Sequence, residues 1–538
     1  MRLKAHLAYF LAFTAIFAVL ACFVFWGTWS PDFAPVMPDC ATTFPRNYAA
    51  WFWAEFLSSG RFAPFELHNL IGSPYCWQEL RYAFALWFAG LGMAYFCRGR
   101  GLTLFASYGA GLLLAFCGYW SSLFSAGHLG WFQWMTYGVF AFGLEDRAIR
   151  KGKTKNWLLL GATVAWASMH QPDLWLLFTL LTAAYFVWCL VRERKFPDWK
   201  GVGFAAAAFF LVGAPGFRNA IVNDLAGRDR QIEESKGTSL TGGETADDKA
   251  ARWIFVTNWS LPPEESLEFI VPRLNGDTSC PLTLALGSRQ KTGVKPYTGA
   301  LGRPIDAKAG NYRQHSLYVG FFTVLLAFAA LYLGRSKRDV WFFAVAAAVC
   351  FVLSLGRYCE AAYRIVFALP FGDAIRAPVK WHHLTEFCLV VLSAFSLDAI
   401  WRMEAVSKRF WAKALFVAVV VLAAFDLARV DRKYLAAVDV SQARKTGYSQ
   451  NLTFVPRSQF ANPRLAPMLR SGNLKALANF PGRADLVLAA VCEPREGARP
   501  KPVPVAAALG IVSILASLAV AAFAFMATVK HLALNGRK

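Results

Sequence analysis

The chain has 538 residues, of which 56% are hydrophobic, 16% aromatic and only 17% charged, against about 25% charged in a soluble domain. With a mean hydropathy of +0.37, that excludes an ordinary soluble domain. The formal net charge of +22 does not point to nucleic acid, because much of the Lys and Arg lies beside apolar runs (Arg98/Arg100, Arg147/Arg150/Lys151/Lys153/Lys155, Arg192/Arg194/Lys195, Arg335/Lys337/Arg338, Arg402/Lys408/Arg409, Lys530/Arg537/Lys538), where membrane topology and anionic headgroups need cations.

Arg2 and Lys4 precede an apolar run from Leu7 to Trp26, long enough to span a bilayer. No small-x-small cleavage site follows, so it reads as an anchor with a cytoplasmic N-terminus rather than a removed signal peptide. Further spans are expected at 81–97, 103–119, 130–144, 157–169, 174–191, 201–216, 316–334, 340–356, 381–401, 410–427 and 505–528. The expected fold class is an all-α polytopic membrane protein with about 12 transmembrane helices. Putting every short basic cluster on one side makes the topology alternate without conflict, with both termini cytoplasmic. The other face then carries 28–80, 120–129, 170–173, 217–315, 357–380 and 428–504, among which 217–315 and 428–504 are long. Residues 505–538 form a last span and a basic tail. Within 217–315, the stretch Glu233–Lys249 is polar and Gly-rich and expected to be mobile.

The eleven cysteines form no CxxC pair and no zinc-type spacing. Cys22, Cys117, Cys189, Cys350 and Cys388 fall in apolar runs and read as small core residues. Cys40 and Cys76 share a loop and can pair if it faces an oxidising compartment.

The short cytoplasmic connections are basic, so function is expected on the outer face. In the first outer loop, Asp39 precedes a segment after Pro45 with helical character, in which Trp51, Phe52, Phe56 and Leu57 suit a membrane interface. A carboxylate there can act as a general base on a hydroxyl, or hold a divalent metal such as Mg or Mn. An acid at a helix N-terminus or in a solvated loop reads the same way. Glu66 and His68 are the polar members of a Gly- and Pro-punctuated stretch further on. His128 lies in the tight turn Ser125–Leu129, and His170 and Gln171 lie in the turn before Pro172-Asp173. Two turn histidines facing the Asp39 loop suggest a shared polar pocket. Arg376 and Lys380 stand at the mouth of a span, where Arg with Lys suits a phosphate and where snorkelling cations are also common. His382 and His383 follow; consecutive helical residues point apart, which argues against one metal between them. There is no Walker A loop, no GxGxxG after a strand, no HExxH and no GxSxG.

Five places together resemble the YfhO-like bacterial membrane proteins of the GT-C glycosyltransferase type. They are Asp39 with Phe44-Pro45 and Gly60…Pro64-Phe65…Gly72-Ser73-Pro74; Ala126-Gly127-His128-Leu129; Trp259-Ser260-Leu261-Pro262-Pro263-Glu264-Glu265…Val271-Pro272…Asn275-Gly276; Tyr318-Val319-Gly320; and Leu353-Ser354-Leu355-Gly356-Arg357…Leu369-Pro370…Ile375-Arg376-Ala377-Pro378-Val379-Lys380, with a span ending near Leu397-Asp398. The order and spacing extend over residues 30–400. The chain departs from that family at Thr43, Glu66 and Gln171. The resemblance implies a polyprenyl-phosphate-linked sugar donor, a glycan, lipid or polymer acceptor in the cell envelope, a bacterial inner membrane, and Asp39 as the catalytic acid of the first outer loop. The rival expectations are a transporter or flippase for a lipid or glycolipid, and a non-catalytic assembly protein.

Overall fold

Inside a bilayer a backbone N–H finds no water, so an apolar run must close its hydrogen bonds within itself. The apolar runs of this chain accordingly form helices. The computed structural model describes residues 2–25, 33–35, 53, 56–61, 74–118, 120, 123, 131–169, 172–219, 221–222, 246–276, 299–300, 316–369, 372, 376–435, 454–456 and 501–535. Its helices are α1 (Arg2–Val24), α2 (Pro74–Gly99), α3 (Leu104–Ala115), α4 (Trp131–Lys151), α5 (Thr154–Ser168), α6 (Pro172–Glu193), α7 (Trp199–Asn219), α8 (Ala246–Val256), α9 (Phe321–Leu333), α10 (Arg338–Ser354), α11 (Glu360–Ala368), α12 (His382–Arg402), α13 (Phe410–Leu435) and α14 (Pro504–Asn535).

Among the described residues, six helices are long and apolar enough to cross a membrane: α1, α6, α7, α12, α13 and α14. The count rises to seven if α10 and the following Gly356–Ala368, bent by 110°, form one span. The chain is thus a helical, multi-pass membrane protein, but length and composition support six such spans rather than the expected twelve. α3 and α9 are apolar yet only 12 and 13 residues long, about 18–20 Å at 1.5 Å per residue, short of a hydrocarbon core about 30 Å thick.

Several boundaries differ from the sequence reading. α2 begins at Pro74 rather than 81, and α13 runs to Leu435, past 427. α8 takes up the last four residues of the polar 233–249 stretch. The described fold is all-helical as expected, apart from one three-residue antiparallel ladder that pairs Phe33–Pro35 with Phe454–Pro456.

α12 is the central helix. It is buried over most of its length, from His382 to Asp398, and it packs against α3, α9 and α10. Small hydroxyl residues allow the close approach: Ser393 Oγ donates to Thr323 O at 2.7 Å and Ser396 Oγ to Leu326 O at 2.6 Å, both on α9. Such cross-helix bonds satisfy polar groups that lipid cannot. α14 is held to α7 in the same way, by Ser513 Oγ donating to Val212 O at 2.6 Å.

The basic turns between helices gather at one end of the bundle. Asp146 on α4 and Asp339 on α10 are shared there by three arginines. Arg100 meets Asp146 at 2.7 Å and Asp339 at 2.5 Å; Arg192 meets both at 2.7 Å; Arg150 meets Asp146 at 2.6 Å. Trp188 Nε1 donates to Asp339 at 3.0 Å. Burial works against the Arg100 cation, but the carboxylates of Asp339 and Asp146 outweigh it and hold its pKa above the ordinary value. Side chains of Arg100 and Arg192 are only 13% and 9% exposed. These two cations therefore serve a buried network joining α4, α6 and α10, not the headgroup layer expected of them. The cysteines follow the core expectation at Cys117, Cys189, Cys350 and Cys388, which are buried, whereas Cys22 is exposed.

Candidate functional site

At the opposite end, three of the sequence segments singled out above interlock around the mouth of α12. The chain leaves α8 through Thr257–Leu261, and the backbone of the loop before α12 docks against it. Ala377 N donates to Val256 O at 3.0 Å and Val379 N to Trp259 O at 3.2 Å. Trp259 and Ala377 both take positive φ, 57° and 65°, which few side chains adopt without surrounding support. The Leu353–Arg357 segment closes on the same strip: Leu261 N donates to Ser354 O at 2.9 Å, and Arg357 N donates to Ser260 Oγ at 3.1 Å. Gly356 has φ +51°, and a Cβ there would stand 2.1 Å from Ser260 Oγ. Only glycine fits that crossing. The Tyr318-Val319-Gly320 segment joins through Phe269, whose carbonyl accepts from Val319 N at 3.0 Å and Gly320 N at 3.2 Å.

On this frame sit the ionisable side chains. The Arg376 guanidinium lies over two rings, 4.5 Å from the centre of Phe255 and 4.3 Å from that of Trp259. Lys380 follows in the 3-10 turn Pro378–Trp381 and is 5% exposed. His382 is fully buried and packs against Phe269 with ring centres 4.2 Å apart and planes tilted by 39°. One turn into α12, Glu386 receives both histidines: His382 Nε2 lies 3.0 Å from Oε1 and His383 Nδ1 3.7 Å from Oε2. The two histidines, expected to point apart, thus converge on one carboxylate at i+4 and i+3. Asp431 on α13 is buried as well, and Cys117, just beyond α3, lies within electrostatic reach of both Glu386 and Asp431.

Of the residues expected at the site, Arg376 and Lys380 are brought together at the mouth of α12. Asp39, Glu66, His68, His128, His170 and Gln171 lie outside the described residues, as does Cys40 of the suggested Cys40–Cys76 pair. Among the described residues no group of three or more His, Cys, Asp or Glu could hold a metal, and Asp39, the expected ligand, is not one of them. The first outer loop is seen at 56–61, seated between α7 and α14. Asn219 Nδ2 donates to Ser59 O at 2.6 Å and Val503 N to Leu57 O at 2.9 Å. Phe56, expected to face the interface, is instead buried at 5% exposure. The reason is Gly510, which leaves room for its ring: a Cβ there would stand 2.7 Å from Phe56 Cε2. Leu57, expected there as well, does remain exposed.

Glu386 and Asp431 were not singled out by sequence reasoning. The signal for Glu386 was present as His-His-x-x-Glu, whose spacing puts the carboxylate one turn beyond both rings. Asp431 had none, since nothing local separates it from the charges around it in Asp426–Lys433. No protein-family model matches the chain, and no curated protein or solved structure is significantly similar to it.

Proposed function

We propose that the protein is a GT-C type membrane glycosyltransferase similar to the YfhO-like proteins, with all twelve helices of the alternating scheme embedded in a bacterial inner membrane and both termini cytoplasmic. It takes a sugar from a polyprenyl-phosphate-linked donor to a cell-envelope acceptor on the non-cytoplasmic face. The Arg376–Lys380 turn at the mouth of α12 carries this reading. Two cations four residues apart in the chain stand at the end of the bundle opposite the basic turns, one of them against two aromatic rings and the other shielded from water. Cations in such a low-dielectric position act strongly on a departing phosphate.

In the reaction, Asp39 accepts the proton of an acceptor hydroxyl, and the oxygen forms a bond to the anomeric carbon as the bond to the phosphate oxygen breaks. The polyprenyl phosphate leaves with the electron pair and is met by Arg376 and Lys380. Glu66, His68, His128, His170 and Gln171 line the sugar pocket. A positioned base contributes roughly 10²–10⁴-fold, so Asp39→Asn abolishes transfer from a radiolabelled polyprenyl-phospho-sugar while the protein stays folded. Full activity in that variant refutes the assignment.

A lipid or glycolipid transporter is the second reading, and two observations favour it. Buried ionisable residues inside helices mark transport pathways, and Glu386, His382, His383 and Asp431 are such residues. Broken helices are also typical of transporters, and the chain bends by 110° after α10. Movement of a labelled glycolipid across proteoliposomes without any transfer product decides for this reading.

A further inference from the structure

Asp398, at the far end of α12, is not used by the transfer reading. It lies 16 residues from His382, about 24 Å along the helix, and so belongs to the basic end. It is fully buried. Its Oδ1 accepts Thr103 N at 2.7 Å, and its Oδ2 is shared by two cations, Lys337 Nζ at 3.1 Å and Arg402 Nε at 3.0 Å. One oxygen shared at hydrogen-bond distance puts those two nitrogens within about 6 Å of each other. They come from different parts of the chain, with one carboxylate between them and one positive charge in excess.

Neither cation is used up by this contact. Lys337 gives one of its three N–H groups to Asp398. Arg402 gives Nε to Asp398 and one Nη2 N–H to Gly101 O at 3.1 Å. Their side chains are 43% and 56% exposed, whereas Arg100 and Arg192 are buried against Asp146 and Asp339. Lys337 and Arg402 are thus fixed in position by a buried acid and still turned outward. Exposed rings lie at the same ends of the adjoining helices: Tyr332 in the last turn of α9, Trp341 in the first turn of α10, and Phe410 and Trp411 at the start of α13. Arg335 lies over Tyr332 at 5.1 Å and Arg409 over Trp411 at 5.8 Å. Aromatic rings interleaved with cations are what the headgroup level of a bilayer selects. Glu404, the exposed acid in the turn after α12, is taken by Lys408 at 3.0 Å.

We propose that Lys337 and Arg402 form a clamp for the phosphate of an anionic phospholipid at the basic end of the bundle. Two cations at a fixed spacing, with N–H groups to spare, suit the oxygens of a phosphodiester. The exposed rings favour a lipid over free phosphate, since acyl chains cover them and an ion does not. This site is independent of the transfer reading.

The test is native mass spectrometry of the full chain released from nanodiscs of phosphatidylcholine with phosphatidylglycerol. The wild type retains one phosphatidylglycerol through detergent exchange. Lys337→Gln with Arg402→Gln lowers that retention roughly 30-fold, from two lost headgroup contacts. Lys153→Gln with Lys200→Gln removes the same charge from other basic connections and keeps the lipid. Because losing both clamp cations leaves Asp398 buried without them, the triple variant with Asp398→Asn is made in parallel and loses the lipid equally. The proposal is overturned if the wild type retains no phosphatidylglycerol, if the folded triple variant retains as much as wild type, if the control pair loses as much as the clamp pair, or if millimolar inorganic phosphate displaces the lipid.

Discussion

The two ends of this bundle are both rich in ionisable side chains, and they handle charge in opposite ways. At the basic end, carboxylates and guanidinium groups meet directly: Asp146 and Asp339 bind Arg100, Arg150 and Arg192 within 2.5–2.7 Å. At the mouth of α12, the frame is made by backbone hydrogen bonds between loops, and rings and one carboxylate hold the charged side chains on it. Arg376 lies against Phe255 and Trp259, and His382 lies against Phe269 and within ion-pair distance of Glu386. A network whose charges neutralise one another holds helices together. At the mouth of α12 backbone hydrogen bonds join the loops instead, and Arg376 and Lys380 are carried on that frame, which is why the transfer reading is proposed there.

The contrast can be broken by substitution, beginning with the largest effect. Asp146→Ala strips a buried carboxylate from three arginines and is expected to cost about 3–5 kcal/mol of stability, read by thermal unfolding of the purified protein in detergent. A loss below about 1 kcal/mol, the range of surface ion pairs, would remove the structural role assigned to the basic end. Gly356→Ala forces a Cβ against Ser260 Oγ and is expected to cost about 2–3 kcal/mol. Adding Ser260→Ala removes the Oγ contact while Pro378 Cγ stays 2.6 Å from the added Cβ, so the double variant recovers part of the loss; strict additivity would mean that Pro378 and the positive φ, not Ser260, impose the glycine. Arg376→Lys keeps the charge but loses the guanidinium contact with the two rings, and should cost only about 1 kcal/mol of stability. On the transfer reading the same variant loses activity well beyond that, so an activity loss no larger than its stability loss would turn Arg376 into a structural residue. Lys408→Ala, which breaks an exposed pair with Glu404, should change stability by less than about 0.5 kcal/mol.

Part of this arrangement was legible in the sequence. Apolar runs and basic clusters announced a multi-pass helical protein, and the family resemblance singled out Gly356, Gly320 and the Trp259–Pro263 segment. The positions that interlock at the mouth of α12 were therefore named before their contacts were known, and Arg376 and Lys380 were named with them. The convergence of His382 and His383 on Glu386 was missed, although its spacing was in view, because adjacency was weighed and the next helical turn was not. The basic clusters misled in another way. Arg98 and Arg100 look alike beside a span, but Arg100 is consumed by Asp146 and Asp339, partners 46 and 239 residues away.

By itself the sequence determined what solvent imposes: an apolar run must be a helix in lipid, and cations must collect where the helices leave it. Those constraints act on each segment alone, so they can be read segment by segment. Which helix became the central one, which arginines found a carboxylate and which stayed outward, and the sharp bend after α10 were decided by tertiary structure. Each depends on a partner from a distant part of the chain, as Asp398 shows: a single buried acid at the end of α12, given its meaning only by Lys337 and Thr103 arriving from other turns beside its own Arg402.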